Sequence, residues 1–122
     1  MSLSIKPLKQ AIGDNERITF IALVDGSIAG IADVAWSPLE DPSFGNLFVG
    51  EVYRCCGIGR ALVQAAISWA ATNGKSLWLH VQPGDWRSAW YVRCGFRETG
   101  ERIEDIGHVW YFIPSPIGQD NV

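Results

Sequence analysis

The sequence predicts an α/β (α+β) fold: a mixed, mostly antiparallel sheet with a central parallel strand pair and flanking helices. Three observations carry this expectation. Two apolar or alternating runs, Arg17 to Val24 and Ser27 to Trp36, are joined by Asp25-Gly26, a dipeptide suited to the two positive φ angles of a type I′ hairpin turn. The run Asn46 to Tyr53 feeds a helix-period segment followed by another apolar run, Ser76 to Val81, the order of a right-handed crossover between parallel neighbours. Phe96 to Ile103 and His108 to Ile113 then close the chain as an antiparallel pair.

Taken in order, the elements read β-β-β-α-β-α-β-β, with residues 3–8 as a short first strand ahead of them. That makes Asn46 to Tyr53 the fourth strand, entered through the Pro- and Gly-bearing loop Ser37 to Gly45. Ala61, Leu62, Ala65, Ala66, Trp69 and Ala70 recur at helical spacing and predict a helix over about 57–73, with Gly74 free to take the left-handed cap. In the fifth strand Leu77, Leu79 and Val81 share one face and Trp78 and His80 the other. A two-turn helix follows from Asp85, a plausible N-cap, to about Arg93, closed by Gly95. One domain over 1–113 with a polar tail over 114–122 accounts for the chain.

Composition narrows the function classes. The chain has 122 residues, 48% of them hydrophobic, and no window long and apolar enough to span a bilayer. The formal net charge of -3 and scattered basic residues lack the electrostatic footprint of a nucleic-acid binder. Three cysteines, two adjacent, fit neither a disulfide framework nor a metal-ligand spacing, and the N-terminus has no signal-type apolar run. A cytoplasmic protein without a metal is expected.

The densest chemical signal is Val49 to Gly59, VGEVYRCCGIG, where a strand ends in the spacing R-x-x-G-x-G and a helix opens. The first-turn N–H groups of a helix have no partner within it, and the peptide dipoles favour negative charge there. Gly57 and Gly59 would let a phosphate approach. A dinucleotide fingerprint would need glycine at Leu62, and a P-loop would need Lys-Ser or Lys-Thr where Arg60-Ala61 stands. Alone, the motif is equally consistent with a ligand-free turn.

Three blocks between about Leu47 and Gly100 resemble the GNAT family of N-acetyltransferases: Leu47-Phe48-Val49, Arg54 through Arg60, and Ala89 through Phe96, where Tyr91 and Gly95-Phe96 match Y-x-x-x-G-F. The resemblance implies acetyl-CoA as cosubstrate and direct transfer of its acetyl group to a primary amine. It implies a bulge that splays strand four from strand five, with backbone near Phe48 and Val49 receiving the pantetheine arm and an N–H near Val49 serving the oxyanion. Arg54, Cys55, Cys56, Gly57, Ile58, Gly59 and Arg60 would then hold the pyrophosphate, with Ser88 and Tyr91 as further cofactor contacts. Tyr91 would protonate the departing thiolate, a task for which a phenol titrating near pH ~10 is suited. Its bland alternative is a core tyrosine.

Glu51, His80 and Asp33 are the candidate general bases, each with an ordinary structural explanation, and His108 reads as structural. Glu51 replaces a usual proline, and Cys55 replaces a glycine at a tight turn. Family members place two helices between the first two strands, whereas Lys9 to Glu16 offers two helical turns at best. The acceptor site is therefore expected to be open or completed by a second subunit in a homodimer, with a small-molecule or protein amine as acceptor and no nucleic acid or membrane partner. The alternative function is a non-catalytic acyl-CoA-binding or regulatory module of the same fold.

Overall fold

The computed structural model describes residues 2–103 and 107–115. Four strands come first: β1 (Leu3–Ile12), β2 (Asn15–Val24), β3 (Ser27–Trp36) and β4 (Ser43–Val49). A 3₁₀ turn over Glu51–Tyr53 leads to α1 (Ile58–Thr72), then β5 (Leu77–Val81), α2 (Arg87–Arg93), β6 (Arg97–Arg102) and β7 (Val109–Ile113). The strands form one sheet in the order β1-β2-β3-β4-β5-β7-β6, in which only β4 and β5 run parallel.

The Asp25-Gly26 hairpin forms as its residues dictate, with φ of 49° and 86° at the two turn positions. At the front, the first strand runs beyond the residues 3–8 expected for it, through part of the segment that offered two helical turns at best. β1 continues to Ile12, Gly13 turns with φ of 62°, and β2 starts at Asn15, so every residue from Leu3 to Ile12 pairs with β2. Glycine at the first position of a two-residue loop favours the hairpin over helix initiation. β4 also differs from the run 46–53: it begins at Ser43 and ends at Val49, because Tyr53 N–H returns to the Gly50 carbonyl at 2.9 Å and closes the 3₁₀ turn. The polar tail expected over 114–122 lies outside the described residues from 116 onward.

The alternation of β2 buries Ile18, Phe20, Ala22 and Val24 against Leu62, Val63, Ala66 and Ala70 of α1, which packs across β2, β3 and β4. Each fully buried large side chain in this layer contributes about 1.5–3 kcal/mol. The helix ends in a Schellman motif: Gly74 takes φ of 65°, its N–H donates to Ala71 O at 3.1 Å and Lys75 N–H donates to Ala70 O at 2.9 Å. The first turn of α1, at Ile58, Gly59 and Arg60, shares a cavity with Leu47 and Val49 at the end of β4. In β5, Leu77, Leu79 and Val81 enter the core, while Trp78 and His80 join Trp110 and Phe112 of β7 on a half-exposed aromatic face.

Candidate active site

Two neighbouring strands that should pair part company here. Ser43 and Trp78 are the one registered pair between β4 and β5, fixed by Trp78 N–H donating to Pro42 O at 3.0 Å. Beyond it β4 bulges: Asp33 faces Gly45, but Ile31 faces Phe48, so β4 carries one residue more than β3 across the same span. The bulge sits at Asn46, whose φ of 54° is a left-handed conformation that asparagine tolerates better than most residues.

Asp33 holds this irregularity in place. Its carboxylate accepts Thr19 Oγ1–H at 2.7 Å and Asn46 Nδ2–H at 2.9 Å, and the residue is 9% exposed. Both oxygens are committed to the bulge, so Asp33 belongs to the scaffold rather than to the set of free bases. Sequence reasoning passed over Thr19 and Asn46; a lone asparagine within an apolar strand was the available signal.

The hydrogen-bond phase at the end of β4 orients Val49. Gly50 N–H donates to Ala29 O at 2.8 Å, so residues 29 and 50 form a hydrogen-bonded pair and the adjacent pair Gly30–Val49 is of the non-bonded kind. Val49 N–H and C=O therefore point away from β3, toward the gap left by β5. The carbonyl accepts Arg54 Nε–H at 3.2 Å, and the N–H faces the opening. Gly30 permits this arrangement: a Cβ there would lie 2.7 Å from Phe48 O.

The loop after β4 turns the motif into a concave N–H array. Cys55 adopts φ of 65° and Gly57 φ of 79°, left-handed positions flanking Cys56 that make the amides converge. Gly57 is the N-cap of α1 without a side-chain cap, and the first intrahelical bond is Ala61 N–H to Gly57 O at 3.0 Å. The N–H groups from Gly57 to Arg60 thus remain open to an anion. They border a cavity of about 430 Å³ shared by Val49, Arg54, Arg60, Arg87, Trp86 and Trp90. The two tryptophans were not foreseen as cradle residues; their indoles give the cavity an apolar wall. Gly59 lies beneath that wall, where a Cβ would stand 3.7 Å from both Trp90 and Val49.

Of the other motif positions, Ile58 is fully buried, Cys56 is exposed with its Sγ–H donating to Arg54 O at 3.5 Å, and the Phe48 ring is 58% exposed. Ser88 donates its N–H to Asp85 O at 3.1 Å and lines neither cavity of the site, and neither does the exposed Glu51. Asp85 differs slightly from the expected N-cap: α2 starts at Arg87, and Asp85 Oδ1 accepts Arg87 N–H at 2.9 Å from two positions upstream. The same carboxylate binds the Arg87 guanidinium at 2.7 Å, and these bonds lower its pKa to about 2.

Tyr91 sits behind the opening between β4 and β5. Its ring packs edge-on against Phe44 (6.2 Å), Phe96 (5.8 Å) and Trp90 (5.2 Å), and the residue is 5% exposed. It lines a second cavity, of about 350 Å³, together with Asn46, His80, Asp85, Arg87 and His108. Burial pushes the Tyr91 phenol above its ordinary value; the nearby Arg87 cation opposes this and the Asp85 carboxylate adds to it. The structure thus brings Tyr91 and His80 together, and adds His108, whose Nδ1 lies 3.0 Å from Nδ1 of His80. Burial first, and then the charge of His108, hold His80 below the ordinary imidazole range.

The site thus combines a splayed parallel pair, an open helix N-terminus on one side of it and a buried phenol on the other. The acetyltransferase (GNAT) family matches this chain over residues 2–96, and the chain belongs to that family. The activity that membership brings is that of an acetyltransferase. No curated protein sequence matches it. Among solved structures, the ribosomal-protein-S18-alanine N-acetyltransferase of Escherichia coli is 24% identical with a TM-score of 0.66, over 81% of this chain and 69% of that one. A Bacillus anthracis acetyltransferase in complex with acetyl coenzyme A is 18% identical with a TM-score of 0.72, over 93% and 99%. The PaiA N-acetyltransferase of Thermoplasma acidophilum, in complex with coenzyme A, is 16% identical with a TM-score of 0.66, over 80% and 60%. No helix of the described residues is long and apolar enough to cross a membrane, and no cluster of metal-ligating side chains occurs among them.

Proposed function

We propose that the protein transfers an acetyl group from acetyl-CoA to a primary amine by direct attack of the amine on the thioester. What supports the reading is that Leu47 of β4 borders both cavities, the one it shares with Val49 and the Gly57–Arg60 amides and the one it shares with Tyr91. Acetyl-CoA would lay its pyrophosphate on the cradle, with Arg60 as a mobile cation, and its pantetheine arm along the free edge of β4 at Phe48 and Val49. The thioester carbonyl oxygen would then meet Val49 N–H. One such preplaced donor is worth about 3 kcal/mol of transition-state stabilisation.

The incoming ammonium must lose a proton before it can attack. His80 is better placed for this than Glu51, since it lines the Tyr91 cavity and Glu51 does not. As the C–S bond breaks, the thiolate needs a proton, and Tyr91, with its pKa raised by burial, is protonated throughout the neutral range. The S18-alanine N-acetyltransferase neighbour, by its name, acts on a protein amine; here the acceptor class is a primary amine, small or protein-borne.

Thiol release from acetyl-CoA, measured against a panel of primary amines, tests this reading. Amine-dependent release by the wild type that falls about 10²-fold or more in Tyr91→Phe supports it. Acetyl-CoA binding without amine-dependent release from any acceptor would instead favour the non-catalytic binding module.

A further inference from the structure

We propose that His80 and His108 act as one proton acceptor for the amine substrate, their Nδ1 atoms sharing a single hydrogen across 3.0 Å. This rests on the N-acetyltransfer reading and names the group that makes its nucleophile. The sheet creates the pair. His80 of β5 registers with Trp110 of β7, which sets His108 on the same face as a diagonal neighbour, with ring centroids 5.2 Å apart. Trp110 closes the other side of His80 edge-on at 5.2 Å, so the imidazole is held between two rings.

Among the described residues, other charged groups leave the pair to itself. From the segment before α2, Asp85 faces His108, but its carboxylate is already bound to Arg87. Tyr91 approaches from α2, and β4 contributes Phe44, Gly45, Asn46 and Leu47 to the cavity wall, none of them titratable. When both rings are neutral, one donates Nδ1–H to the Nδ1 lone pair of the other, and the donor ring has a bare Nε2. That nitrogen can take a hydrogen from the acceptor ammonium, whose N–H electron pair stays on the amine.

The resulting cation is shared by both rings through the bridging hydrogen. A second proton would place two N–H groups head to head at 3.0 Å, which the pair resists. Burial, and after it the charge of His108, lower the His80 pKa. In the rest of the turnover the C–N bond forms and the C–S bond breaks. The Tyr91 hydroxyl hydrogen passes to sulfur, the second amine hydrogen restores the phenol, and the proton on the pair is released to water.

The chain has two histidines, so their ring C–H resonances can be followed without ambiguity in an NMR titration. The wild type is expected to titrate in two steps separated by more than about one pH unit, with both rings sensing both steps. In His108→Gln, His80 should titrate in one step between those two, and the acid limb of kcat/KM should move to lower pH by about half a unit or more. His80→Gln should lose about 10²-fold in kcat/KM. Two independent curves, each indifferent to the loss of the other ring, would overturn the pairing. Coupled curves with a kcat/KM profile unchanged in His108→Gln would overturn the catalytic role. Separated steps without amine-dependent CoA release by the wild type would mark failure of the acetyltransfer reading itself, and the role would fall with it.

Discussion

Arg54 Nε donates to the main-chain oxygen of Val49 at 3.2 Å, so the first residue of the glycine motif grips the last residue of β4. The bond joins the two halves of the cofactor site, the open strand edge and the amide cradle. It also occupies the Val49 carbonyl and leaves its N–H as the free group at the opening. Arg54→Ala should therefore weaken acetyl-CoA binding and lower kcat together, while Arg60→Ala should chiefly weaken binding. Loss of one charge-assisted hydrogen bond corresponds to about 1.5–3 kcal/mol, or roughly 10- to 150-fold, in the affected constant. Steady-state kinetics separates the two variants; identical profiles would contradict the double role.

Gly30 lies across from this junction, where a Cβ would come within 2.7 Å of Phe48 O, a backbone atom that cannot swing aside. Gly30→Ala should push β4 outward and destabilise the fold by about 1–3 kcal/mol, a cost typical of overpacking. Chemical denaturation would measure it, and an unchanged midpoint would show that the sheet absorbs the methyl group.

The bulge depends on a short polar chain, Thr19 to Asp33 to Asn46. Asp33→Leu should leave the Asn46 amide and Thr19 hydroxyl without their acceptor, costing about 1–3 kcal/mol for each group still buried. Because the bulge opens the β4–β5 gap, acetyl-CoA affinity should fall as well. A variant that loses stability but binds with wild-type affinity would separate the bulge from the site.

These residues also mark the limit of what the sequence conveyed. The parallel pair, the α1 crossover and the open N-terminus at Gly57 were legible because periodicity and glycine chemistry are local. The Asp33–Asn46 contact joins residues from separate strands, and a residue's partner across a sheet is set by register, which a one-residue bulge displaces. The same holds for His80 and His108, 28 positions apart and joined only by the β5–β7 pairing. The first strand is longer than the sequence conveyed because the residues after Leu8 lack strong strand periodicity, and it is the turn at Gly13 that pairs them with β2.

Tyr91→Phe keeps the ring contacts with Phe44, Phe96 and Trp90, so the fold and acetyl-CoA affinity should persist while turnover falls. The pH dependence follows from burial, which raises the folded phenol above its unfolded value near ~10. Stability from the neutral phenol is complete below that value and is lost as pH rises toward the folded one. In an ultraviolet titration Tyr91 should ionise later than a free phenol. Ionisation at or below pH ~10 would place the hydroxyl in water rather than in the protein.

At acid pH the sign is reversed for Asp85, held near a pKa of about 2 by its bonds to Arg87. Its contribution to the start of α2 is present above the ordinary carboxylate value of 3.8 and is lost as pH falls through about 2. An acid titration of Asp85→Asn should lack that segment of the wild-type stability curve; superimposable curves would show that the clamp with Arg87 does not hold the helix start.

Calorimetric titration of acetyl-CoA into the wild type and Gly59→Ala tests the central claim, that the Gly57–Arg60 amides bind the cofactor pyrophosphate. The new methyl group would lie at ordinary van der Waals distance, 3.7 Å, from Trp90 and Val49, so the variant should fold with a Tm close to the wild type while filling the cradle floor. Saturable binding by the wild type, weakened at least about tenfold in the variant, is the predicted result. Equal affinities, or no binding by either protein, would contradict it.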